Sequence, residues 1–119
     1  MEKHILRKEI LYVEFELFDK EGKSREVAND LREEFLNDFQ KGFNNFWVNV
    51  SKITGMGSSL TGVIAFMGDT IKNRGKVVIS GLDAKSREVF SITNLDCMKD
   101  VELIEIKDAP GHRDRSPAI

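Results

Sequence analysis

The sequence predicts an α/β fold, in which a mixed sheet of about four to five strands carries helices mainly on one face. Residues 11–17 alternate between apolar and mostly polar side chains, which is typical of a strand with one face in the core. Two later segments, 27–39 and 60–71, repeat apolar residues at helical spacing. A short apolar run follows each of them, so strands and helices alternate and we expect parallel pairing among the later strands.

The first half of the chain is predicted to form two strands and a helix. A shorter strand at 4–9 lies beside the alternating strand, whose polar side chains predict a sheet face that is open to solvent. The segment 19–22 forms a turn, and Ser24 is a suitable N-cap for the first helix. That helix runs to about Lys41, and Gly42 is a good stop.

The middle of the chain is predicted to form a strand, a helix and another strand. Residues 46–50 are apolar on both sides of the pleat, with only Asn49 polar, which predicts a central strand. The second helix carries basic residues at 72–74 and is expected to stop at Gly75. A short buried strand at 76–80 follows.

The rest of the sequence is predicted to complete one domain of residues 1–107. Asp83 caps a third helix that runs to about Ile92, and a last strand lies near 103–106. Residues 108–119 hold both prolines and several charges, and we expect them to be a flexible tail.

Composition indicates an ordinary globular domain. The 119 residues include 40% hydrophobic and 32% charged side chains, with a formal net charge of -2. That balance gives no reason to expect nucleic-acid or membrane binding, and no apolar run approaches the roughly 20 residues that span a bilayer. Cys97 stands alone and the N-terminal residues lack a signal-peptide pattern, so we expect a cytoplasmic protein. We also expect a monomer or a weak dimer.

The residue types that serve catalysis and metal binding are scattered. His4 and His112 are expected to be solvated surface histidines, and Cys97 a small buried hydrophobe. The acid pair Glu33 and Glu34 sits among basic residues, as on a solvated helix face. The sequence therefore predicts no catalytic residue, no metal site and no cofactor, and the protein is not expected to be an enzyme.

A glycine- and serine-rich segment at 53–62 connects the central strand to the second helix. It lacks the third glycine of a dinucleotide loop and the Gly-Lys-Ser/Thr ending of a P-loop, so it is weak evidence for nucleotide binding. If the helix begins near Ser58 or Ser59, its first amides and its dipole favour an anion such as a phosphate on the serine. The ordinary alternative is that Ser58 is an N-cap and that the glycines permit a tight turn.

The segment 46–95 resembles the STAS domain of bacterial anti-sigma factor antagonists. Three pieces carry the resemblance in the same order and spacing: the strand at 47–53 leading into Gly-Ser-Ser at 57–59, the stretch 72–82, and the stretch 86–95. The resemblance implies a STAS-like fold and a partner that is an anti-sigma factor and also a serine kinase.

The family's phosphorylation site reads Asp-Ser-Ser-Gly-Leu-Gly, which by resemblance makes Ser58 the phosphate acceptor and Ser59 the second choice. This chain has Gly57 in place of the acid and Leu60 in place of the glycine. Leu60 either adds apolar surface beside the site or enters the core as the start of the helical stripe. The resemblance places these residues in the partner-binding surface: Gly55, Met56, Gly57, Ser59, Leu60, Thr61 and Gly62.

The resemblance implies an anti-sigma factor antagonist that acts by partner switching: it binds the kinase-type anti-sigma factor and is released when Ser58 is phosphorylated. Two further functions stay open beside it. One is a STAS-like binding subunit that does not switch, in a lipid-transport ATPase or a stress-signalling scaffold, which the altered positions 57 and 60 favour. The other is an enzyme or nucleotide-binding protein that uses the loop at 55–62, although no base, metal ligand or phosphate-binding lysine is placed beside it.

Overall fold

A computed structural model describes residues 1–7, 11–19, 24–53, 57–82, 84, 88 and 101–104. The elements occur in the order β1 (Glu2–Arg7), β2 (Leu11–Phe18), α1 (Ser24–Gln40), β3 (Asn45–Lys52), α2 (Ser58–Thr70), β4 (Lys76–Ser80) and β5 (Val101–Ile104). The predicted third helix, apart from positions 84 and 88, and the predicted tail lie outside the described residues, as do Gly55, Met56, Cys97 and His112.

The five strands form one mixed sheet in the order β1-β2-β3-β4-β5. β1 pairs antiparallel with β2, and every later pair is parallel, so the predicted α/β class is confirmed. β3 is the middle strand, as its apolar pattern predicts. Neither described helix is long and apolar enough to cross a bilayer.

Both described helices pack on the same face of the sheet, as predicted. Phe15 of β2 stacks on Phe46 of β3 with ring centroids 5.9 Å apart. Phe35 of α1 meets Phe46 edge-on at 4.8 Å, so the aromatic periodicity of α1 is buried against the middle of the sheet. Apolar residues of α2, among them Ile64 and Met67, join the same core cluster.

The opposite face of the sheet is not open to solvent at β2, and this prediction is wrong. Glu14 is 0% exposed and Glu16 is 6% exposed. The physical reason is that β3 supplies polar partners: Asn49 Nδ2 donates to Glu14 Oε2 at 3.2 Å, and Lys52 Nζ lies 3.7 Å from Glu16 Oε2. Alternation along one strand shows which side chains share a face, but not what lies on the neighbouring strand.

The second helix ends earlier than its sequence predicts. α2 stops at Thr70 with Ile71 as the C-cap, rather than continuing to Gly75. Ile71 is fully buried, and Arg74 N donates to Ile71 O at 2.7 Å in a tight turn. Asn73 has a φ of 64°, a left-handed conformation that a helix cannot continue through.

Lys3 ties the edge strand β1 to α1. Its Nζ donates to Glu34 Oε2 at 3.1 Å and to Asp38 Oδ1 at 3.3 Å. Asp38 is buried in the last turn of α1, where the helix dipole disfavours a negative charge, and Lys3 supplies a compensating cation. Partial burial by itself lowers the pKa of Lys3, but the hydrogen bonds and attraction from Glu34 and Asp38 outweigh it and raise this pKa above 10.5.

Replacing Lys3 with methionine removes the ion pairs with Glu34 and Asp38 and is expected to lower the free energy of unfolding by about 1 kcal/mol at pH 7. The loss is small because solvent screens a lysine side chain that is 34% exposed. A raised lysine pKa stabilises the fold below the ordinary value, and that contribution is lost as the pH rises through the raised value. The difference between wild type and Lys3→Met should therefore disappear at alkaline pH. Urea denaturation at both pH values tests this, with exposed Lys41→Met as the control; equal losses for both variants contradict it.

Candidate functional site at the start of helix α2

The candidate site lies in the connection between the central strand β3 and α2. After β3, Ile53 N donates to Val50 O at 3.0 Å, which turns the chain. Gly57 then has extended backbone angles, φ -72° and ψ 165°, and α2 begins at Ser58. Because parallel strands end together, the site sits at the carboxyl edge of the sheet, where α/β folds commonly place functional groups.

The residues predicted for the site separate into an exposed group and a buried group. Gly57, Ser58 and Gly62 are exposed, and Ser59 is half-buried. A Cβ atom built on Gly57 or on Gly62 meets no described atom within 4 Å, so a larger side chain would fit at both positions. The structure thus brings Ser58 to the surface, between two glycines that have open space around them among the described residues.

Leu60 and Thr61 point inward, which corrects their placement in the partner-binding surface. Leu60 belongs to the core cluster, so of its two predicted positions it takes the core. The buried Thr61 bonds back to the preceding turn, with both its backbone N and its Oγ1 donating to Gly57 O at 3.0 Å. These two side chains anchor the first turn of α2 from beneath.

The electrostatics at Ser58 favour an anion. Gly57 provides no side-chain cap, and the first turn of α2 contains no acidic residue. The first intrahelical bond is that of Thr61 N, so the amides of the residues ahead of it have no acceptor within the helix. The positive end of the helix dipole adds to this, and a phosphate on the exposed Ser58 hydroxyl would meet attraction rather than repulsion.

A network of hydrogen bonds among Glu14, Asn49 and Ser51 fixes the end of β3 ahead of the site. The sequence pattern does not predict this network. Asn49 Oδ1 accepts hydrogen bonds from Ser51 N at 3.1 Å and from Ser51 Oγ at 2.7 Å, while its Nδ2 donates to Glu14. Gly81, at the end of β4, has a φ of 89°, and a Cβ there would lie 2.5 Å from Ser51 N. The polar Asn49 inside an apolar strand was the available signal.

The described residues around Ser58 offer hydroxyl and apolar groups rather than metal ligands. Carboxylate and imidazole groups gather instead at the β1–β2 edge of the sheet, where Glu2, His4 and Glu16 come together. The sequence alone does not predict this group, because the three residues meet only through the register of the antiparallel β1–β2 pair.

The described architecture matches solved structures over most of its length. The NMR structure of the protein TM1081 superposes with a TM-score of 0.70 at 22% identity, covering 88% of this chain and 83% of that one. A crystal structure of TM1081 from Thermotoga maritima, provisionally named an anti-sigma factor antagonist, gives 0.65 at 21% identity, covering 87% and 88%.

The chain has a STAS-like fold. No protein-family model matches the sequence, and no curated protein matches it. At 21–22% identity the likeness to these structures establishes the fold. Within the STAS-like fold, the two departures from Asp-Ser-Ser-Gly-Leu-Gly differ in consequence: Gly57 removes an acid from the surface, whereas Leu60 is absorbed by the core.

Proposed function

We propose that this protein is an anti-sigma factor antagonist that works by partner switching. In its unphosphorylated form it binds an anti-sigma factor that is also a serine kinase, and the sigma factor is released. Phosphorylation of Ser58, or of Ser59 as the second choice, ends that binding. The observation that carries the proposal is an exposed serine at an uncapped helix N-terminus on a STAS-like fold.

The physical basis of the switch is a change of charge at one point of a docking surface. A phosphate adds about -1.5 to -2 charge units at pH 7. Among the described residues of the predicted surface, a partner can touch the exposed Gly57, Ser58 and Gly62 and the half-buried Ser59. The buried Leu60 and Thr61 beneath them anchor α2. A phosphate on Ser58 would therefore alter the surface while the fold stays as it is.

Gly57 also bears on how the kinase recognises the site. An acid at this position would lie next to the acceptor hydroxyl, and glycine leaves that side open and uncharged. Glycine at 57 therefore favours a partner that recognises the chain without an acidic neighbour. It is also the feature that favours the second candidate, a binding subunit that is never phosphorylated.

The phosphorylation state of Ser58 is the direct test. Phosphopeptide mass spectrometry of the protein from its native cells, during growth and under stress, is expected to show phosphate on Ser58 that changes with condition. Complete coverage of the peptide without phosphate in any condition contradicts switching and supports the constitutive binding subunit.

The charge argument has its own test in three variants of Ser58. Ser58→Ala and Ser58→Asn are expected to retain an anti-sigma factor in pull-downs from native cells, whereas Ser58→Asp should bind at least about ten-fold more weakly. Asparagine and aspartate have nearly the same shape, so the comparison isolates charge. If Ser58→Asn and Ser58→Asp release the partner equally, bulk rather than charge is responsible and the proposed basis of the switch is wrong.

A further inference from the structure

Three potential metal ligands meet at the β1–β2 edge of the sheet, on the face opposite to the helices. Glu2 and Glu16 are direct partners in the antiparallel pairing, and His4 lies two residues farther along β1 on the same face. One carboxylate oxygen from each glutamate and one imidazole nitrogen all lie within 4.8 Å of one another. All three residues belong to paired strands, so the backbone holds them in place.

The distances within this group suit a shared ion better than direct hydrogen bonds. His4 Nε2 is 3.5 Å from Glu2 Oε2, longer than a charge-assisted hydrogen bond of about 2.7–2.9 Å. In a tetrahedral site with bonds of about 2.0–2.1 Å, neighbouring ligand atoms are about 3.3 Å apart. The Glu2 side chain is 61% exposed, so a small rotation brings its oxygen to that spacing.

The charges at this edge also favour a cation. Carboxylates that face each other directly across antiparallel strands repel, and the burial of Glu16 leaves little water to screen the repulsion. Glu14, the direct partner of His4 in the pairing, places a third carboxyl group on this face. Lys52 Nζ is 3.7 Å from Glu16, but its side chain is 55% exposed and can move into solvent when an ion binds.

We propose that Glu2, His4 and Glu16 bind Zn²⁺. A set of one imidazole and two carboxylates supplies three ligands, and water takes the fourth position of the tetrahedron. The imidazole ligand selects against Mg²⁺, which prefers oxygen ligands in octahedral geometry. The site lies on the other face of the sheet from the helices, so it stands independently of the function proposed for Ser58.

Isothermal titration of the full chain with ZnCl₂ tests the site. Wild type is expected to bind one equivalent, and His4→Ala and Glu2→Gln are each expected to weaken binding at least ten-fold. Glu2 is exposed, so Glu2→Gln tests the ligand without disturbing the core; Glu16→Gln, checked for folding by circular dichroism, should lose binding as well.

The matched control is the double variant Cys97→Ser/His112→Ala, which removes the other histidine and the cysteine and should bind Zn²⁺ as wild type does. Loss of binding in this control, or unchanged binding in both His4→Ala and Glu2→Gln, would overturn the proposal. Failure of wild type to bind Zn²⁺, or a preference for MgCl₂ over ZnCl₂ in parallel titrations, would overturn it too.

Discussion

Replacing Asn49 with aspartate is expected to destabilise the protein by about 3 kcal/mol at pH 7. The amide nitrogen of Asn49 donates to the fully buried Glu14 at 3.2 Å, and aspartate would set a carboxylate against that carboxylate. Two such groups in a buried position cannot both keep their charge without a large cost. Urea denaturation at pH 7 measures the loss.

Asn45→Asp is the matched control, because it makes the same change on the same strand in a different setting. Asn45 is half-buried, its Oδ1 accepts from Lys76 N at 3.2 Å, and its direct partner across the sheet is Lys76. Aspartate keeps the acceptor there and gains a nearby cation, so the change should stay within about 0.5 kcal/mol. Equal losses of stability for Asn45→Asp and Asn49→Asp would refute the argument that the buried hydrogen bond from Asn49 to Glu14 stabilises the fold.

Replacing Gly75 with alanine is expected to cost about 3 kcal/mol or more. A Cβ at Gly75 would overlap the carbonyl oxygen of Asn44 and lie 2.6 Å from its carbonyl carbon, and both are backbone atoms. Backbone atoms yield only if β3 and β4 move apart at their amino ends, where Asn45 and Lys76 are paired. Thermal or chemical denaturation measures the effect.

Gly62→Ala is the paired control and should act in the opposite direction. Gly62 lies inside α2 with open space around it, so alanine meets no obstacle and gains about 0.5–1 kcal/mol of helix propensity. If Gly75→Ala is tolerated as well as Gly62→Ala, the close approach of Gly75 to Asn44 does not limit the fold.

The elements that could be predicted best are those whose buried residues form a pattern within a single segment of the chain. β4 was expected at 76–80 and has those bounds, and the continuous apolar run of β3 predicted its central position. Helical periodicity located α1 and the start of α2 because buried stripes repeat within a single element. The exposed Ser58 followed from the same boundary between strand and helix.

What could not be predicted depends on pairs that are far apart in the chain. Glu14 was expected to face water, and its partner Asn49 is 35 residues away. The meeting of Glu2 and Glu16 depends on strand register, which neither strand's own pattern reveals. α2 ends before Asn73, which has a left-handed conformation. The sequence pattern instead predicts the stop at Gly75, because glycine is the usual residue for that conformation.

The anchoring of α2 by Leu60 and Thr61 has a consequence for how a phosphate at Ser58 would be sensed. Leu60 ties the first turn of α2 to the core and Thr61 ties it to Gly57, so a phosphate added to Ser58 as proposed would leave this turn in place. A partner would then distinguish the two states chiefly by the electrostatic field of the phosphate. Fields at an exposed position fade over about 8 Å at physiological ionic strength and over about 3 Å in 1 M salt. Under the proposed switch, a partner's discrimination between the two states of Ser58 would therefore weaken as the ionic strength rises.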